Sequence, residues 1–336
     1  MADEVIQLAH GGGGRLSRDF LRDEILPRFG GPALRDLADA ATIDPASGPL
    51  AFTTDSFVVQ PLEFPGGDIG ALAVHGTVND LAVSGARPRW LSLGLVIEEG
   101  LPLARLRAIL DSVRDAAAAC GVRIVTGDTK VVRRGQCDGL YINTAGIGER
   151  WPGLDPAPGR IRPGDAVLLS GPIGDHGMAV MAARERIPVR PAPRSDCGPV
   201  HGLVESLLPW AGGVRFLRDP TRGGLAAVLN EVVDGAPYSV ELDEAALPYS
   251  TSTRAAAEIL GIDLLHVACE GRVVLVAAPE PVEAMLAAWR ARPDGRAAAV
   301  IGRVTDATPG RLVLETAVGG RRLVDFPRGE LLPRIC

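Results

Sequence analysis

The sequence comprises 336 residues, of which 46% are hydrophobic and 23% are charged. This composition is typical of a globular protein, and the length predicts about two domains. The formal net charge of −6 argues against a nucleic-acid-binding or anionic-membrane surface, and no apolar run is long enough to span a bilayer.

Cysteine usage indicates the compartment. The five cysteines are odd in number, widely spaced and contain no C-x-x-C pair, which argues against a disulfide framework and against a zinc site. The N-terminus, Met-Ala-Asp-Glu-Val, lacks the basic and apolar regions of a secretory signal. We therefore expect a cytoplasmic protein with no membrane and no nucleic-acid partner.

The first half of the chain alternates strands with helices. A glycine-rich segment, Gly11 to Gly14, precedes a helix predicted over residues 17–29. Asp68 is placed to cap a later helix, and Gly121 is placed to end another. The predicted strands are 50–59, 89–98, 122–126 and 139–147, and the predicted helices are 68–84 and 103–119.

Residues 151–164 are rich in proline and glycine and are predicted to link two domains. A second α/β unit follows from residue 165 to about residue 305, interrupted by a proline-rich loop over 187–199. Its predicted strands are 166–170, 214–218, 238–242, 272–278 and 297–304, and its predicted helices are 175–184, 200–210, 223–233, 251–260 and 280–291.

Lys130 is the only lysine among the 35 basic residues of the chain. Lysine carries a compact ammonium that can lose its proton, whereas a guanidinium stays charged and planar. We therefore expect Lys130 to perform a role that arginine cannot. Asparagine is also scarce, and Asn79, Asn143 and Asn230 all lie in or beside segments that carry other polar signals.

Three aspartates interrupt apolar surroundings: Asp55 in T-T-D-S, Asp80 after Asn79, and Asp128 in T-G-D-T. Carboxylates that converge repel one another unless a cation lies between them, and Mg²⁺ takes oxygen ligands that it shares with nucleotide phosphates. A single aspartate more often caps a helix or turns a loop. Three of them beside Asn79 and Lys130 in one predicted domain favour a nucleotide–metal site.

Two glycine-rich turns have the composition of phosphate-binding loops: Gly11 to Gly14, and D-P-T-R-G-G from Asp219 to Gly224. Backbone N–H groups at a helix start hold phosphate oxygens. Neither turn matches the P-loop or the Rossmann pattern, which excludes both of those sites. G-D-H-G at residues 174–177 is a third strand-to-helix turn, with a weaker functional signal.

The last residue is Cys336. Prenylation requires a cysteine four residues from the end, so that motif is absent. A thiol on a free end can reach several sites, since a segment from Pro327 to the end would span roughly 30 Å if extended.

These motifs occur together in one family. A glycine-rich start, T-T-D-S, N-D-x-A-V-S-G-A, T-G-D-T-K-V, G-D-H-G, D-x-T-R-G-G and a terminal P-R-I-C follow in this order. On them the chain resembles the HypE family of hydrogenase maturation factors, within the aminoimidazole ribonucleotide (AIR) synthetase-like, or PurM-like, superfamily. The resemblance spans nearly the whole chain, and the terminal motif is the one specific to the maturation factors.

The resemblance implies a two-domain PurM-like α/β (α+β) fold with mixed β-sheets flanked by helices. A glycine-rich segment would occupy residues 1–35, an ATP-binding domain 36–150 and a second domain 160–308. A mobile tail over 326–336 would carry Cys336.

The resemblance also implies an ATP-dependent carbamoyl dehydratase. The carbamoyltransferase HypF would place a carbamoyl group on the terminal thiol, ATP would activate the amide oxygen, and loss of phosphate would leave a thiocyanate. The cyanide would pass to iron on a HypC–HypD scaffold complex, as a ligand of the [NiFe] centre. A homodimer with its nucleotide site near the interface is implied as well.

Residue roles follow by matching motifs. Cys336 would be the carrier nucleophile, Lys130 and Glu270 would handle protons and contact phosphate, and Asp55, Asp80 and Asp128 would hold Mg²⁺. The other residues implied to bind ATP with the aspartates and Lys130 are Gly12, Gly13, Gly14, Asn79, Thr129, Asn143, Asp219, Gly223 and Gly224. The chain departs from the family at Cys269, which is often asparagine, and in a first loop without its usual serine.

Other members of the superfamily are alternatives. Selenophosphate synthetase requires a reactive cysteine near the N-terminus, and none precedes Cys120. AIR synthetase and thiamine-monophosphate kinase have no use for a terminal cysteine. A non-catalytic ATP-binding scaffold is an alternative of another class, and the acidic motifs with Lys130 argue against it because a scaffold needs no metal ligands.

Overall fold

Two main β-sheets flanked by helices form the chain, which confirms the predicted α/β fold with mixed sheets. The structure is a computed structural model, and it describes residues 4–12, 14–31, 34, 40–43, 48–326 and 334–336. Over those ranges, no helix combines the length and the apolar character that a membrane span requires.

The N-terminal helix, predicted over 17–29, is continuous and changes its hydrogen-bond pattern midway. It follows a 3₁₀ helix, Leu8–Gly11, and consists of α1 (Arg15–Phe20), a π-helical segment (Leu21–Ile25) and α2 (Leu26–Phe29). The buried Glu24 carboxylate in this helix accepts a hydrogen bond from Arg107 at 2.7 Å. This contact holds the helix against the first half of the chain.

The first half contains a four-stranded sheet with two helices. Its elements are β1 (Leu50–Phe57), β2 (Glu63–Phe64), β3 (Gly67–Asp68), α3 (Ile69–Val83), β4 (Ala86–Glu98), α4 (Leu103–Cys120), β5 (Arg123–Val132) and β6 (Leu140–Arg150). The strand order is β1-β6-β4-β5, in which only β4 and β5 pair in parallel. β2 and β3 form a separate ribbon.

One predicted residue caps the start of α3, and another ends α4. Asp68 caps α3, because its carboxylate accepts a hydrogen bond from the Ala71 N–H at 2.9 Å. Gly121 ends α4 in the left-handed region, with φ of 65°. Gly76 lets α3 approach the sheet, since a Cβ there would lie 2.8 Å from the Phe57 ring.

The second half contains a seven-stranded sheet. Its elements are β7 (Ala166–Leu169), α5 (Asp175–Arg184), α6 (His201–Glu205), β8 (Val214–Arg218), α7 (Gly224–Val233), β9 (Ser239–Asp243), α8 (Thr251–Leu260), β10 (Val274–Ala277), α9 (Val282–Arg290), β11 (Ala299–Thr305), β12 (Leu312–Glu315) and β13 (Arg321–Leu323). The order is β13-β12-β9-β11-β7-β10-β8, and only β12 and β9 pair in parallel.

Two predictions differ from this half of the structure. The helix predicted over 200–210 ends early, as α6, and continues as a 3₁₀ helix, Leu208–Gly213. Pro209 lacks the N–H that an α-helix would use there. The strands β12 and β13 lie beyond the predicted end of the unit. The sequence did not predict β12, because this strand is short and its buried residues do not alternate with exposed ones.

One hydrophobic core extends through both halves, and it includes Phe57 and Leu106 from the first and Val240 and Ile301 from the second. The segment 151–164 between them has two buried residues, Leu154 and Ile161, which are 1% and 5% exposed. The two halves therefore meet along a buried interface, and the polar pocket described next lies at that interface.

Candidate active site

Cys336 lies in a small pocket between the two halves of the chain. The pocket is built by β1, α3, the turn before α7, the loop before β10 and the end of the chain. Its lining residues are Asp55, Ser56, Gly76, Asp80, Asp219, Thr221, Arg222, Glu270 and Cys336. Four carboxyl side chains and one guanidinium thus surround a single thiol.

The last residues of the chain dock beside the segment that follows β1. Ile335 forms an antiparallel bridge with Val59 and is 5% exposed. The Arg334 carbonyl accepts hydrogen bonds from the Gln60 N–H at 3.1 Å and from Arg184 Nη2 at 2.6 Å. These contacts hold the two residues before the thiol, and so they fix the thiol inside the pocket.

Glu270 and Cys336 line the same pocket, and each affects the pKa of the other. Glu270 is 2% exposed, and its Oε1 has no hydrogen-bond partner among the described residues. Burial, and next the charge of Asp219, raises the pKa of Glu270 well above its usual range. Burial, and next the charge of Glu270, raises the pKa of the Cys336 thiol in the same way. The docked sulfur is therefore held as a thiol.

The three aspartates of the pocket form its acidic wall. Burial, and next the charge of Asp80, raises the pKa of Asp219 to about 7. Burial is also the main cause that raises the pKa of Asp55 and that of Asp80. Asp80 accepts a hydrogen bond from Thr53 Oγ1 at 2.9 Å. These hard oxygen donors suffer mutual repulsion that a divalent cation such as Mg²⁺ would relieve.

Asp128 and Lys130 lie elsewhere, on β5. They form an ion pair with Nζ 3.0 Å from Oδ2, and their side chains are 68% and 64% exposed. The strand order puts three interstrand steps between β1 and β5, which is roughly 14 Å. Asp55, Asp80 and Asp128 were expected to converge, and within one chain they do not. Across the described part of the sequence, no group of three or more metal-ligating side chains is found.

A second cavity lies between the N-terminal helix and β5. Of the predicted site residues, Asp128, Thr129 and Lys130 line it, together with Gly11 of the glycine-rich segment. Its apolar lining includes Leu21, Ile25, Leu93 and Leu95. The predicted nucleotide-binding residues thus divide into an acidic group around Cys336 and a group beside an apolar cavity at β5.

Gly12 and Gly14 follow Gly11, which lines this cavity, in the sequence. Gly12 follows the 3₁₀ helix Leu8–Gly11, and Gly14 precedes α1. Gly13 lies outside the described residues.

Asn79 joins the two halves of the chain. Its Oδ1 accepts a hydrogen bond from the Val200 N–H at 2.8 Å, and its Nδ2 donates to the Gly198 and Glu270 carbonyls at 3.1 and 3.2 Å. The side-chain NH₂ group of Asn79 therefore donates its hydrogen bonds to backbone carbonyls. In this arrangement Asn79 positions the loop that carries Glu270.

Asn143 supports β1 from the neighbouring strand β6. Its Nδ2 donates to the Asp55 carbonyl at 2.8 Å and to Ser56 Oγ at 2.9 Å. Ser56, Asn143, Gly94 and Asp128 are consecutive register partners, so they form one row across the sheet.

Gly223 and Gly224 form the start of α7, with φ of 79° and 62°. A Cβ at Gly224 would lie 2.7 Å from the Leu265 carbonyl oxygen, so the turn requires glycine there. This geometry places Asp219 and Arg222 at the pocket, on the N-terminal side of the helix.

Several pocket residues were not predicted. Arg222, Thr221 and Ser56 line the pocket, and His176 contacts the tail. Arg222 lies within the D-P-T-R-G-G motif, directly before its two glycines. His176 belongs to the G-D-H-G turn.

Family profiles match both halves of the chain. Residues 37–150 match the family profile described as AIR synthase related protein, N-terminal domain, and residues 162–315 match its C-terminal domain. The carbamoyl dehydratase HypE of Rhodobacter capsulatus is 48% identical over 339 aligned positions, covering 100% of this chain and 99% of that protein.

The fold is also similar to solved structures of HypE proteins. The hydrogenase maturation protein HypE in complex with ATP superposes with a TM-score of 0.93 and is 46% identical, covering 98% of this chain and 99% of the other. HypE in a HypE–HypF complex superposes with a TM-score of 0.81 at 42% identity, covering 94% and 100%. The chain belongs to the HypE family of carbamoyl dehydratases, which act in hydrogenase maturation.

Proposed function

We propose that this chain converts a carbamoyl group on the Cys336 thiol into a thiocyanate in an ATP-dependent reaction. The S-carbamoyl thiol and ATP give the thiocyanate, ADP, phosphate and one proton. The amide oxygen is a poor leaving group, and its phosphorylation lets it depart as phosphate. Two N–H protons must also leave before the C≡N bond is complete, so bases are needed beside the sulfur.

The observation that carries this proposal is that Cys336 and Glu270 line the same small pocket. A carbamoyl group on the sulfur would add two N–H donors to the pocket, where Glu270 Oε1 has no partner within the described ranges. Glu270 then has the position of a proton acceptor, and its raised pKa means that its carboxylate, once ionised, is a stronger base than an exposed one. Asp219, with a pKa raised to about 7, is suited to hold a second proton.

ATP is the proposed phosphoryl donor, as the related HypE complex with ATP supports. The apolar cavity at β5 fits a nucleoside, with Gly12, Gly13, Gly14 and Thr129 as its predicted partners. Arg222 and the N-terminal turn of α7 at Gly223 and Gly224 fit phosphate oxygens.

Asp55, Asp80 and Asp128 are the proposed Mg²⁺ ligands. Bound Mg²⁺ neutralises phosphate charge and orients the transferred group. The raised pKa values of Asp55 and Asp80 fit such a cation. Asp128 is too far from them in the same chain, and it would join them only from a second chain.

We therefore propose a homodimer in which the face of the four-stranded sheet that carries Asn143 and Asp128 packs against its counterpart. Phe52 lies on β1 and is 71% exposed, and Leu50 is 50% exposed, which is typical of a surface that a partner covers. Lys130 would then act on a thiol of the second subunit. This arrangement accounts for its absence from the pocket of its own chain.

Partners and compartment follow from the same proposal. The related HypE–HypF complex supports HypF as the carbamoyl donor, and a HypC–HypD complex is the proposed cyanide acceptor. The described cysteines are free, which agrees with the cytoplasm. The domain limits at 36–150 and 160–308, and the mobility of the tail over 326–336, stay predictions.

ADP production tests the function directly. Wild-type protein should release ADP with Mg-ATP only after its carbamoylation by the transferase, and Cys336→Ala should release none. Cys120→Ala, at a buried cysteine of α4, serves as the matched control and should behave as wild type. An equal ADP release with and without the carbamoyl group would favour another superfamily kinase, and no release from carbamoylated protein would favour the scaffold.

A further inference from the structure

His176 joins the tail to the body of the protein, and the reaction chemistry does not use it. It lies at the start of α5 and is completely buried. Both ring nitrogens are engaged: Nε2 contacts the Ile335 carbonyl oxygen, and Nδ1 is 2.8 Å from Ser195 Oγ. The residue contacted on the tail directly precedes Cys336.

These contacts determine the tautomer of the ring. The Ile335 carbonyl can only accept a hydrogen bond, so the proton must be on Nε2. Burial lowers the pKa of His176, which keeps the ring neutral. Nδ1 then has no proton, and Ser195 Oγ donates to it. The ring therefore presents a donor to the tail.

The ring is also held in place by its surroundings. The Cys197 N–H donates to Ser195 Oγ at 2.9 Å, and the Ser195 N–H donates to the Pro65 carbonyl at 2.7 Å. The Phe64 ring meets the imidazole edge-on, with centroids 5.2 Å apart. Ser195 and the imidazole thus have little freedom to turn, and the hydrogen bonds run in one direction from Cys197 to the tail.

The loop that orients His176 also holds Glu270. Asp196 Oδ1 accepts a hydrogen bond from the Glu270 N–H at 3.2 Å, and the Gly198 N–H donates to the Glu270 carbonyl at 3.4 Å. One loop, residues 195–198, therefore fixes both the proton acceptor and the residue that receives the tail. The distance between the carrier thiol and Glu270 depends on this loop.

We propose that His176, oriented by Ser195, is the positioning residue that docks the tail and aligns Cys336 with Glu270. It touches neither the thiol nor the phosphate site, and it acts through the Ile335 carbonyl. Its role in catalysis rests on the proposed dehydratase function, whereas its role in docking does not. A conservative replacement that keeps a donor toward the tail and an acceptor toward Ser195 should preserve both roles.

The docking step is tested without any reaction. The rate at which iodoacetamide modifies Cys336, measured by mass spectrometry of the C-terminal peptide, reports the undocked tail. We expect a rate increase of roughly tenfold in His176→Ala, a smaller increase in Ser195→Ala, and a rate near that of wild type in His176→Gln. His201→Ala, at a histidine of α6, is the matched control. A wild-type modification rate in His176→Ala would overturn the proposal.

The catalytic step is tested in a single turnover. Carbamoylation by the transferase should proceed at the wild-type rate in His176→Ala, and dehydration should slow by about tenfold or more, with rescue in His176→Gln. Unfolding curves by circular dichroism show whether each variant is folded. A folded His176→Gln that fails as badly as His176→Ala would refute the hydrogen-bonding role. If wild-type protein itself does not dehydrate the carbamoyl group, the function is wrong, and the modification rates still decide the docking.

Discussion

The Asn79 side chain and the Glu270 backbone, 191 positions apart in the sequence, are joined by a hydrogen bond of 3.2 Å. Asn79 belongs to α3 in the first half, and Glu270 belongs to the loop before β10 in the second. The same amide also binds Gly198 and Val200. Glu270, the proposed proton acceptor, is thus positioned by a residue of the other half.

Asn79→Ala should impair both folding and dehydration. The substitution removes one hydrogen bond from each of three backbone groups that are buried or partly buried, so we expect about 1–3 kcal/mol loss in the free energy of unfolding. Dehydration should fall further than stability explains, because Glu270 moves. Asn230→Ala is the matched control, since Asn230 binds the Ala226 and Val324 carbonyls in the second half. If both variants dehydrate equally well at equal stability, Asn79 has no role in positioning.

Glu270→Gln should separate carbamoylation from dehydration. Glutamine keeps the shape of the side chain but cannot take the proton, so we expect dehydration to fall by a factor of about 10²–10⁴. Carbamoylation of Cys336 should persist, because the proposed carbamoyltransferase, and not Glu270, would perform that step. Glu241→Gln, on β9, removes a carboxylate that pairs with Arg303 and should leave both steps intact. Dehydration at the wild-type rate in Glu270→Gln would exclude Glu270 as the base.

His75 should make the stability of the folded protein decrease at acid pH. Burial, and next the charge of His201, lowers the pKa of His75 from 6.5 to about 4. Between those values the unfolded chain binds a proton that the folded chain does not, so stability is complete above pH 6.5 and falls as the pH decreases toward 4. The full effect is about 3 kcal/mol.

Urea unfolding between pH 4 and pH 7 measures how the free energy of unfolding depends on pH. His75→Gln should lose the part of this pH dependence that His75 contributes. Cys197→Ala removes the sulfur that lies 3.5 Å from His75 Nδ1 but keeps the imidazole, so its pH dependence should stay. An unchanged acid slope in His75→Gln would assign the effect to the carboxyl groups instead.

Lys130→Arg should keep the ion pair with Asp128 and still lose dehydration. Arginine preserves the charge but cannot give up a proton at neutral pH. Single-turnover measurement on carbamoylated protein should show a loss of at least about tenfold. Arg133→Lys, three positions along, is the reverse exchange and should have no effect. An arginine variant with wild-type turnover would contradict the role assigned to this lysine.

Subunit mixing tests whether Lys130 serves the partner's thiol. Lys130→Ala and Glu270→Gln should each be inactive alone. In a mixed dimer one of the two sites would contain both native residues, so an equilibrated mixture should recover about a quarter of wild-type activity. If mass measurements show that subunits exchange and activity still does not recover, Lys130 and Glu270 act together within one subunit.

The sequence predicted five of the residues that line the pocket, Asp55, Asp80, Asp219, Glu270 and Cys336, but it did not predict that Asp128 would lie apart from them. Asp55 and Asp80 do meet, because β1 and α3 pack directly and Gly76 allows the close approach. Asp128 does not join them, because the strand order β1-β6-β4-β5 separates β5 from β1. Strand order depends on long-range pairing, which residue periodicity does not encode.

Buried hydrogen bonds were equally invisible in the sequence. Asn79 looked like a nucleotide ligand beside Asp80, but its amide is bound to the backbone of the other half. His176 belongs to the G-D-H-G turn, and the partner of its Nε2 is the carbonyl of Ile335 in the docked tail. Such contacts join segments more than a hundred residues apart, so no local pattern reports them.

The mass of the C-terminal peptide tests the central claim most directly. The protein would be incubated with the carbamoyltransferase, carbamoyl phosphate and Mg-ATP, and the peptide that contains Cys336 would be weighed over time. The account predicts a carbamoyl adduct that then loses one water, only when ATP is present. An adduct that persists unchanged with ATP, or one that loses water equally well without it, would contradict an ATP-dependent dehydration at Cys336.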